Sequence, residues 1–365
     1  MVRQHLRTTA AGLSALLLAT ACSTTEPTPE ARSTAPATHP ADRWFGSDYD
    51  RRQAAAFVAL RALDPCALHS PQDLQQIMGM TPDELMPAGE FDVCRLRLRN
   101  REFDPGWDAR INVAARWSAG SGTETVGGLQ VSVQEDNAHS CTVSRPLPQA
   151  LLHELAPQAV PDTSGNQARH AISLTVSWST RSEAPPTPPC QVTRDYLTAV
   201  ADAWRQPPRR DQHRTTPALP LAGVDPCAAA PELAGLLPGS VKMTPLEPYS
   251  CTLRKPPPAP LDTPSISVRL ALNDDPVEQA RTARAQVGLG RPTTIAGRPG
   301  TLGEGKGPFG SFCLARIRYA DDPRVRVDES REDTPVSVQV VEVRAPGCEQ
   351  AQKAVEAVLA TAGVR

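Results

Sequence analysis

Nine cysteines are the residues of this 365-residue chain best equipped to do chemistry. A thiolate can attack a carbonyl, bind zinc or exchange with a disulfide, and spacing tells these uses apart. No C-x-x-C occurs, so neither a redox pair nor a zinc knuckle is spelled out. Cys22 stands apart near the start; Cys66, Cys94, Cys141, Cys190, Cys227, Cys251, Cys313 and Cys348 form an even set. In an exported chain such a set reads as a disulfide framework. The seven histidines are scattered, with no H-E-x-x-H, so no zinc site is expected. No G-x-S-x-G nucleophile elbow is present, and no catalytic residue is named. "GKGPFG" at 305–310 has G-x-G-x-x-G spacing, but Pro308 interrupts it and a strand-like segment follows, which reads as a turn. Met78, Met80 and Met86, near His69, could hold copper(I); packing in a small core is the preferred reading, with no metal or other cofactor.

The best candidate binding surface is basic. In "CRLRLR", Cys94, Leu96 and Leu98 fall on one face of a strand and Arg95, Arg97 and Arg99 on the other. Arg110 and Arg116, on the following strand, would share that face if the two strands are neighbours. Guanidinium groups in such a stripe could grip carboxylate or phosphate, or form only a solvated face. Trp107, in "DPGWD", reads as a loop aromatic that either recognises a ligand or anchors the loop. The net charge of −2 excludes a nucleic-acid partner of the electrostatic kind.

The chain starts with Arg3 and Arg7, then an apolar run from Ala10 to Ala21 that is too short to cross a bilayer. Ala19, Thr20 and Ala21 precede Cys22, which resembles the lipobox of bacterial lipoproteins. That resemblance implies a signal peptide at 1–21 and a lipidated Cys22, whose acyl chains (palmitate among them) anchor the protein to the membrane. Residues 22–43, rich in Pro, Thr and Ala, read as a disordered tether.

The elements that must position these residues come twice. "LDPCALHS" around Cys66 and "VDPCAAAP" around Cys227 open two similar stretches. Each continues with a helix, then a strand carrying Cys94 or Cys251, then an alternating strand, "ARINVAARW" or "SISVRLAL". Each then has a glycine turn, "TVGGLQVSV" or "TIAGRPGTL", a strand with Cys141 or Cys313, and an alternating strand, "AISLTVSW" or "VSVQVVEV". A helix headed by Cys190 or Cys348 closes each. Helical patterns are also expected over 44–63, capped by Ser47, and over "TPDEL" at 81–85, where Thr81 and Glu84 are spaced as a capping box. In "VSVQVVEV", Val336, Val338 and Val340 mark the expected core face. The second stretch has an extra helix over 276–287. The expectation is therefore an α+β chain of two tandem diverged modules at 44–204 and 217–365. Each is an antiparallel sheet covered by helices on one face. The Pro- and Arg-rich residues 205–216 read as a solvated linker.

Confined to each module, the cysteines still allow several pairings. The favoured set is Cys66–Cys94, Cys141–Cys190, Cys227–Cys251 and Cys313–Cys348, because each would tie a helix start to a nearby strand. The order of D-P-C-A, strand Cys, glycine turn, strand Cys and the closing helix "CEQAQKAVEAVLA" is similar to a family of actinobacterial envelope lipoproteins with a domain of unknown function. A more distant likeness is to the extracellular sensor domains of mycobacterial Ser/Thr kinases. The resemblance implies an extracytoplasmic location and this fold; with the lipobox, the tether, the twin modules and the lack of a reactive constellation, the expectation is a lipid-anchored, non-catalytic module for binding or sensing, with an anionic envelope ligand or an envelope protein as partner. An envelope hydrolase and a scaffold for an envelope complex remain the alternatives.

Overall fold

The computed structural model describes residues 42–99, 105–117, 122–157, 159, 170–180, 183–212, 219–256, 263–282, 290–307, 310–320, 325–326 and 336–363. The leader, Cys22 and the tether up to residue 41 lie outside the described residues.

The first half runs α1 (Asp48–Arg61), α2 (Pro71–Met78), β1 (Thr81–Ala88), β2 (Glu90–Arg99), β3 (Trp107–Arg116), β4 (Glu124–Val126), β5 (Leu129–Asn137), β6 (Ser140–Pro146), α3 (Gln149–Leu155), β7 (His170–Trp178), α4 (Pro189–Ala199) and α5 (Ala201–Arg205). Local chemistry sets the helix ends. The Ser47 hydroxyl accepts from Asp50 N at 3.1 Å to cap α1. Ser70 accepts from Asp73 N at 3.3 Å to cap α2, Pro71 fills the first turn, and Gly79 closes α2 at φ 66°.

The second half runs α6 (Ala230–Ala234), β8 (Lys242–Glu247), β9 (Ser250–Arg254), β10 (Ser265–Asp274), α7 (Pro276–Thr282), β11 (Arg291–Ile295), β12 (Arg298–Gly307), β13 (Gly310–Arg318), β14 (Val325–Arg326), β15 (Val336–Ala345) and α8 (Cys348–Thr361).

The first sheet has the order β1-β2-β3-β7-β6-β5-β4, the second β8-β9-β10-β15-β13-β12-β11, with β14 pairing β15. Matching each strand to its counterpart makes the two orders identical. The repeat announced by D-P-C-A thus extends to the topology. The principal helices α4 and α8 lie on equivalent strands, β6 and β7 in one module, β13 and β15 in the other. Under α4 sit Val192, Tyr196 and Leu197 against Val143, Leu174 and Val176; under α8 sit Val355, Val358 and Leu359 against Ile317, Val341 and Val343. Each large side chain so buried contributes about 1.5–3 kcal/mol of hydrophobic stabilisation.

Cys141–Cys190 and Cys313–Cys348 fasten these two helices to their sheets, and Cys66–Cys94 and Cys227–Cys251 fasten the D-P-C-A turns to β2 and β9. This is the set favoured from sequence. In both modules the D-P-C aspartate folds back on its own turn. Asp64 Oδ1 accepts from Cys66 N at 3.0 Å, and Asp225 Oδ1 from Cys227 N at 3.1 Å. The glycine turns also correspond. Val126 faces Leu129 and Ile295 faces Arg298 across two-residue hairpin turns. Both central residues of each turn have positive φ: Gly127 (55°) and Gly128 (75°), Ala296 (48°) and Gly297 (74°). That geometry matches the strand twist and demands glycine or its near equivalents.

Several sequence expectations are corrected. Residues 81–85 are strand, not helix. Two prolines, Pro82 and Pro87, suit β1 because it is an edge strand with its outward N–H groups unneeded. Glu84 reaches across to Arg97 rather than back to a helix start. Trp107 is no loop aromatic; it begins β3, is 1% exposed and meets Trp178 edge to face at 5.1 Å. In β15 the face under α8 is Val341, Val343 and Ala345, whereas Val338 and Val340 are buried on the opposite side. Both faces are covered there because α7 crosses the second sheet's far side, where Gln279 accepts from Arg316 at 2.7 Å and Asp275 from Arg318 at 2.7 Å. The extra helix is described only to Thr282.

The described part of the segment after α5 is exposed at Gln206, Asp211 and Gln212 but docks between them. Asp64 N donates to Pro208 O at 3.0 Å, Arg210 N to Ala62 O at 2.9 Å, and Arg210 Nε to Arg61 O at 3.1 Å. The two modules are also fused. Phe45 pairs with Met243, and Phe45, Ala54, Met86 and Phe91 are part of the second module's core.

Candidate functional site

Register places the basic stripe as expected but surrounds it with acid. Arg95 lies opposite Arg110 and Arg97 opposite Asp108. Arg95 pairs with Asp108, Arg97 with Glu84 at 3.0 Å, and Arg99 with Asp83 at 3.9 Å. Burial raises the Glu84 carboxyl above its usual range despite Arg97 and Arg95, and burial lowers Arg97. Arg110 is exposed, and Arg116 sits opposite His170 at the end of β3. Three of the five arginines are therefore charge-compensated, because β1 and β3 place carboxylates beside Arg95, Arg97 and Arg99, while Arg110 and Arg116 are exposed.

The groups with reactive potential are held in structural roles. His69 is buried, and burial lowers its pKa to about 4, so it is neutral. Its Nε2 lies 3.4 Å from Cys94 O and its Nδ1 3.1 Å from the Tyr196 hydroxyl. A carbonyl only accepts, so Nε2 carries the proton and Nδ1 accepts from Tyr196. The same hydroxyl accepts from Ser70 N at 2.9 Å, locking the D-P-C-A turn to α4. Met86 is buried, and Met78 and Met80 pack against the first core. Among the described residues, no three His, Cys, Asp or Glu side chains are grouped to hold a metal ion. Gly307 and Gly310 end β12 and begin β13, so "GKGPFG" spans a strand-to-strand turn with residues 308–309 outside the described set.

Two features escaped the sequence reading. The first is an open cleft of about 590 Å³ in the first module, lined by Leu129, Arg145, Pro146, Leu147, Pro148 and Arg205 among others. Arg145 follows Cys141 and Val143 along the helix-facing side of β6. A charge closing an apolar file was the available signal. Its Nη1 donates to Trp204 O. Arg205 Nη2 donates to Gly127 O at 2.5 Å, and Nη1 pairs with the exposed Asp202. Burial, then the neighbouring charge of Arg205, lowers the pKa of Arg145.

The second is the junction between modules. Arg61 donates to Pro248 O at 2.7 Å and lies 3.4 Å from Asp225. Glu90 pairs with Arg269, and Leu272 N donates to Gly89 O at 3.0 Å. Phe91 meets Tyr249 edge to face at 5.0 Å. Asp92, 3% exposed, has a carboxylate oxygen with no hydrogen-bond partner. Burial, with Glu90 and Glu247 adding to it and Arg210 opposing, raises its pKa to about 7.

Comparison of the chain with protein-family models, curated proteins and solved structures finds no match. The four disulfides indicate folding in an oxidising, extracytoplasmic compartment. Among the described residues, no helix is long and apolar enough to cross a membrane.

Proposed function

We propose that this chain is a lipid-anchored, non-catalytic binding or sensing protein on the extracytoplasmic side of the cell membrane, akin to the actinobacterial envelope lipoproteins its cysteine pattern resembles. Its anchor is Cys22, its spacer the Pro-rich tether, and its partner an anionic envelope ligand or an envelope protein. The observation that carries the non-catalytic reading is the fate of the eight domain cysteines. All are joined in four disulfides, six of the eight are 2% exposed or less, and the D-P-C aspartates accept from the amides of Cys66 and Cys227. Thiols so used are neither nucleophiles nor metal ligands. The leader supports the location, since a short apolar run ending in a small-residue triplet and Cys suits an anchor rather than a span. Fractionation of cells tests the proposal. The parent chain sediments with membranes and Cys22→Ser appears in the soluble extracytoplasmic fraction; retention of that variant on membranes overturns lipid anchoring.

A further inference from the structure

We propose that the cleft between Arg145 and Arg205 is the binding site of a small molecule that carries a carboxylate or phosphate group on an apolar body. The inference rests on the binding reading above and deepens it.

Two arginines meet at this cleft with donors to spare and mutual repulsion. A guanidinium has five N–H donors. Trp204 O takes one from Arg145; Gly127 O and Asp202 engage Arg205. Both arginines line the cleft, and the acid paired with Arg205, Asp202, has a side chain 97% exposed to solvent. Two like charges held together on one wall repel, and the half-buried setting of Arg145 strengthens that repulsion. A bound anion reverses it and satisfies both forks, the geometry at which arginine excels. The remaining wall is mixed, with the apolar Leu129, Leu147, Pro146 and Pro148 beside the amides of Gln130 and Gln149. A volume of about 590 Å³ suits a small organic molecule rather than a bare ion. Contrast with the β2 stripe sharpens the choice, because there each of Arg95, Arg97 and Arg99 already faces a carboxylate.

Position supports the same reading. The cleft borders Gly128 and the end of α5, and the Cys141–Cys190 disulfide ties β6, which carries Arg145, to α4, which leads into the α5 that ends in Arg205. Gly127 is pressed against α4; a Cβ there would lie 2.9 Å from Thr198 Cα. The clamp is thus preorganised and loses little order on binding.

The test is calorimetric titration of the full chain with phenyl phosphate, benzoate, benzyl alcohol and inorganic phosphate. The expected result is saturable binding of phenyl phosphate or benzoate, with benzyl alcohol and inorganic phosphate each at least about tenfold weaker. The stronger of the two aryl anions tells a phosphate ligand from a carboxylate one. Arg205→Gln, at an exposed position, weakens the anion about tenfold while the melting temperature holds, in line with loss of a charge-assisted contact. Arg145→Lys keeps the charge, loses the fork, and weakens it similarly. Equal binding of benzyl alcohol, unchanged affinity in Arg205→Gln, or no binding of any probe at millimolar concentration overturns the site. A chain that binds none of the probes yet sediments with membranes through Cys22 overturns the cleft alone and leaves the proposed anchoring intact.

Discussion

Asp92→Asn should make the protein more resistant to unfolding at alkaline pH and leave it unchanged in acid. In the native state the Asp92 carboxyl is buried at the module junction. Its pKa stands at about 7 against an ordinary 3.8, with burial the largest cause and the carboxylates of Glu90 and Glu247 next. Between those two values the native state holds a proton that the unfolded chain has released. Stability contributed by the protonated group is complete below about pH 4, falls as pH rises, and is gone above about pH 7. The shift corresponds to roughly 4 kcal/mol as an upper figure, since relaxation and water entry soften it. The neutral amide occupies the same space without the charge. His69 and His170, each lowered to about 4 by burial, lose stability in the opposite direction as pH falls through about 6.5 to 4. Glu84 and Glu247 are also raised by burial. The contributions of His69, His170 and Glu84 are common to both proteins and cancel in the difference, whereas the repulsion between Glu247 and Asp92 goes with the Asp92 charge and is part of it. The assay is urea unfolding followed by tryptophan fluorescence at intervals from pH 4 to pH 8. The variant should exceed the parent by about 2–4 kcal/mol at pH 8 and match it near pH 4. A difference that is flat with pH, or that grows toward acid, refutes the assignment of a buried, charge-crowded Asp92.

Two further predictions concern the repeated architecture. Gly127→Ala puts a Cβ into a left-handed residue and within 3.0 Å of both Thr198 Cα and Ala201 Cβ, so it should cost about 1–3 kcal/mol, whereas Ala296→Gly at the equivalent turn should be neutral or stabilising by up to about 1 kcal/mol; equal effects in denaturant melts would contradict the equivalence of the turns. Replacing Cys141 and Cys190 together by Ala opens a separation of 49 residues and should cost about 4 kcal/mol, against about 3.5 kcal/mol for Cys227 and Cys251 at 24 residues. A parent protein that releases free domain thiols in non-reducing peptide maps would rule out the framework.

What was legible in the chain followed from period and repetition. Strands such as Ile172–Leu174–Val176 alternate cleanly because one face meets helices and the other water, and D-P-C-A marks each module because its turn is built alike twice. Residues 81–85 misled because Thr81 and Glu84 fit a capping box; only the cross-strand partner Arg97 distinguishes the strand. Val340 and Val341 are both buried, so no period could choose the α8 face. The docking of Arg210 was hidden for a different reason. Its acceptors Arg61 and Phe91 lie 149 and 119 residues away in sequence. The candidate cleft shares that difficulty, since Arg145 and Arg205 come from β6 and the end of α5. Composition does not reveal which of the 38 Lys and Arg residues face a sheltered acid; the fold does, by pairing Arg95, Arg97 and Arg99 across strands while Arg145 donates to a carbonyl and Arg205 has the exposed Asp202.

The account's central claim is a disulfide-tied binding protein held at the membrane by Cys22, and mass analysis of the N-terminal peptide of the purified protein tests it most directly. The account predicts a mature chain that begins at Cys22 and carries the mass of a thioether-linked diacylglyceryl group. An N-terminal peptide that retains residues before Cys22, or that contains an unmodified Cys22 thiol, contradicts it.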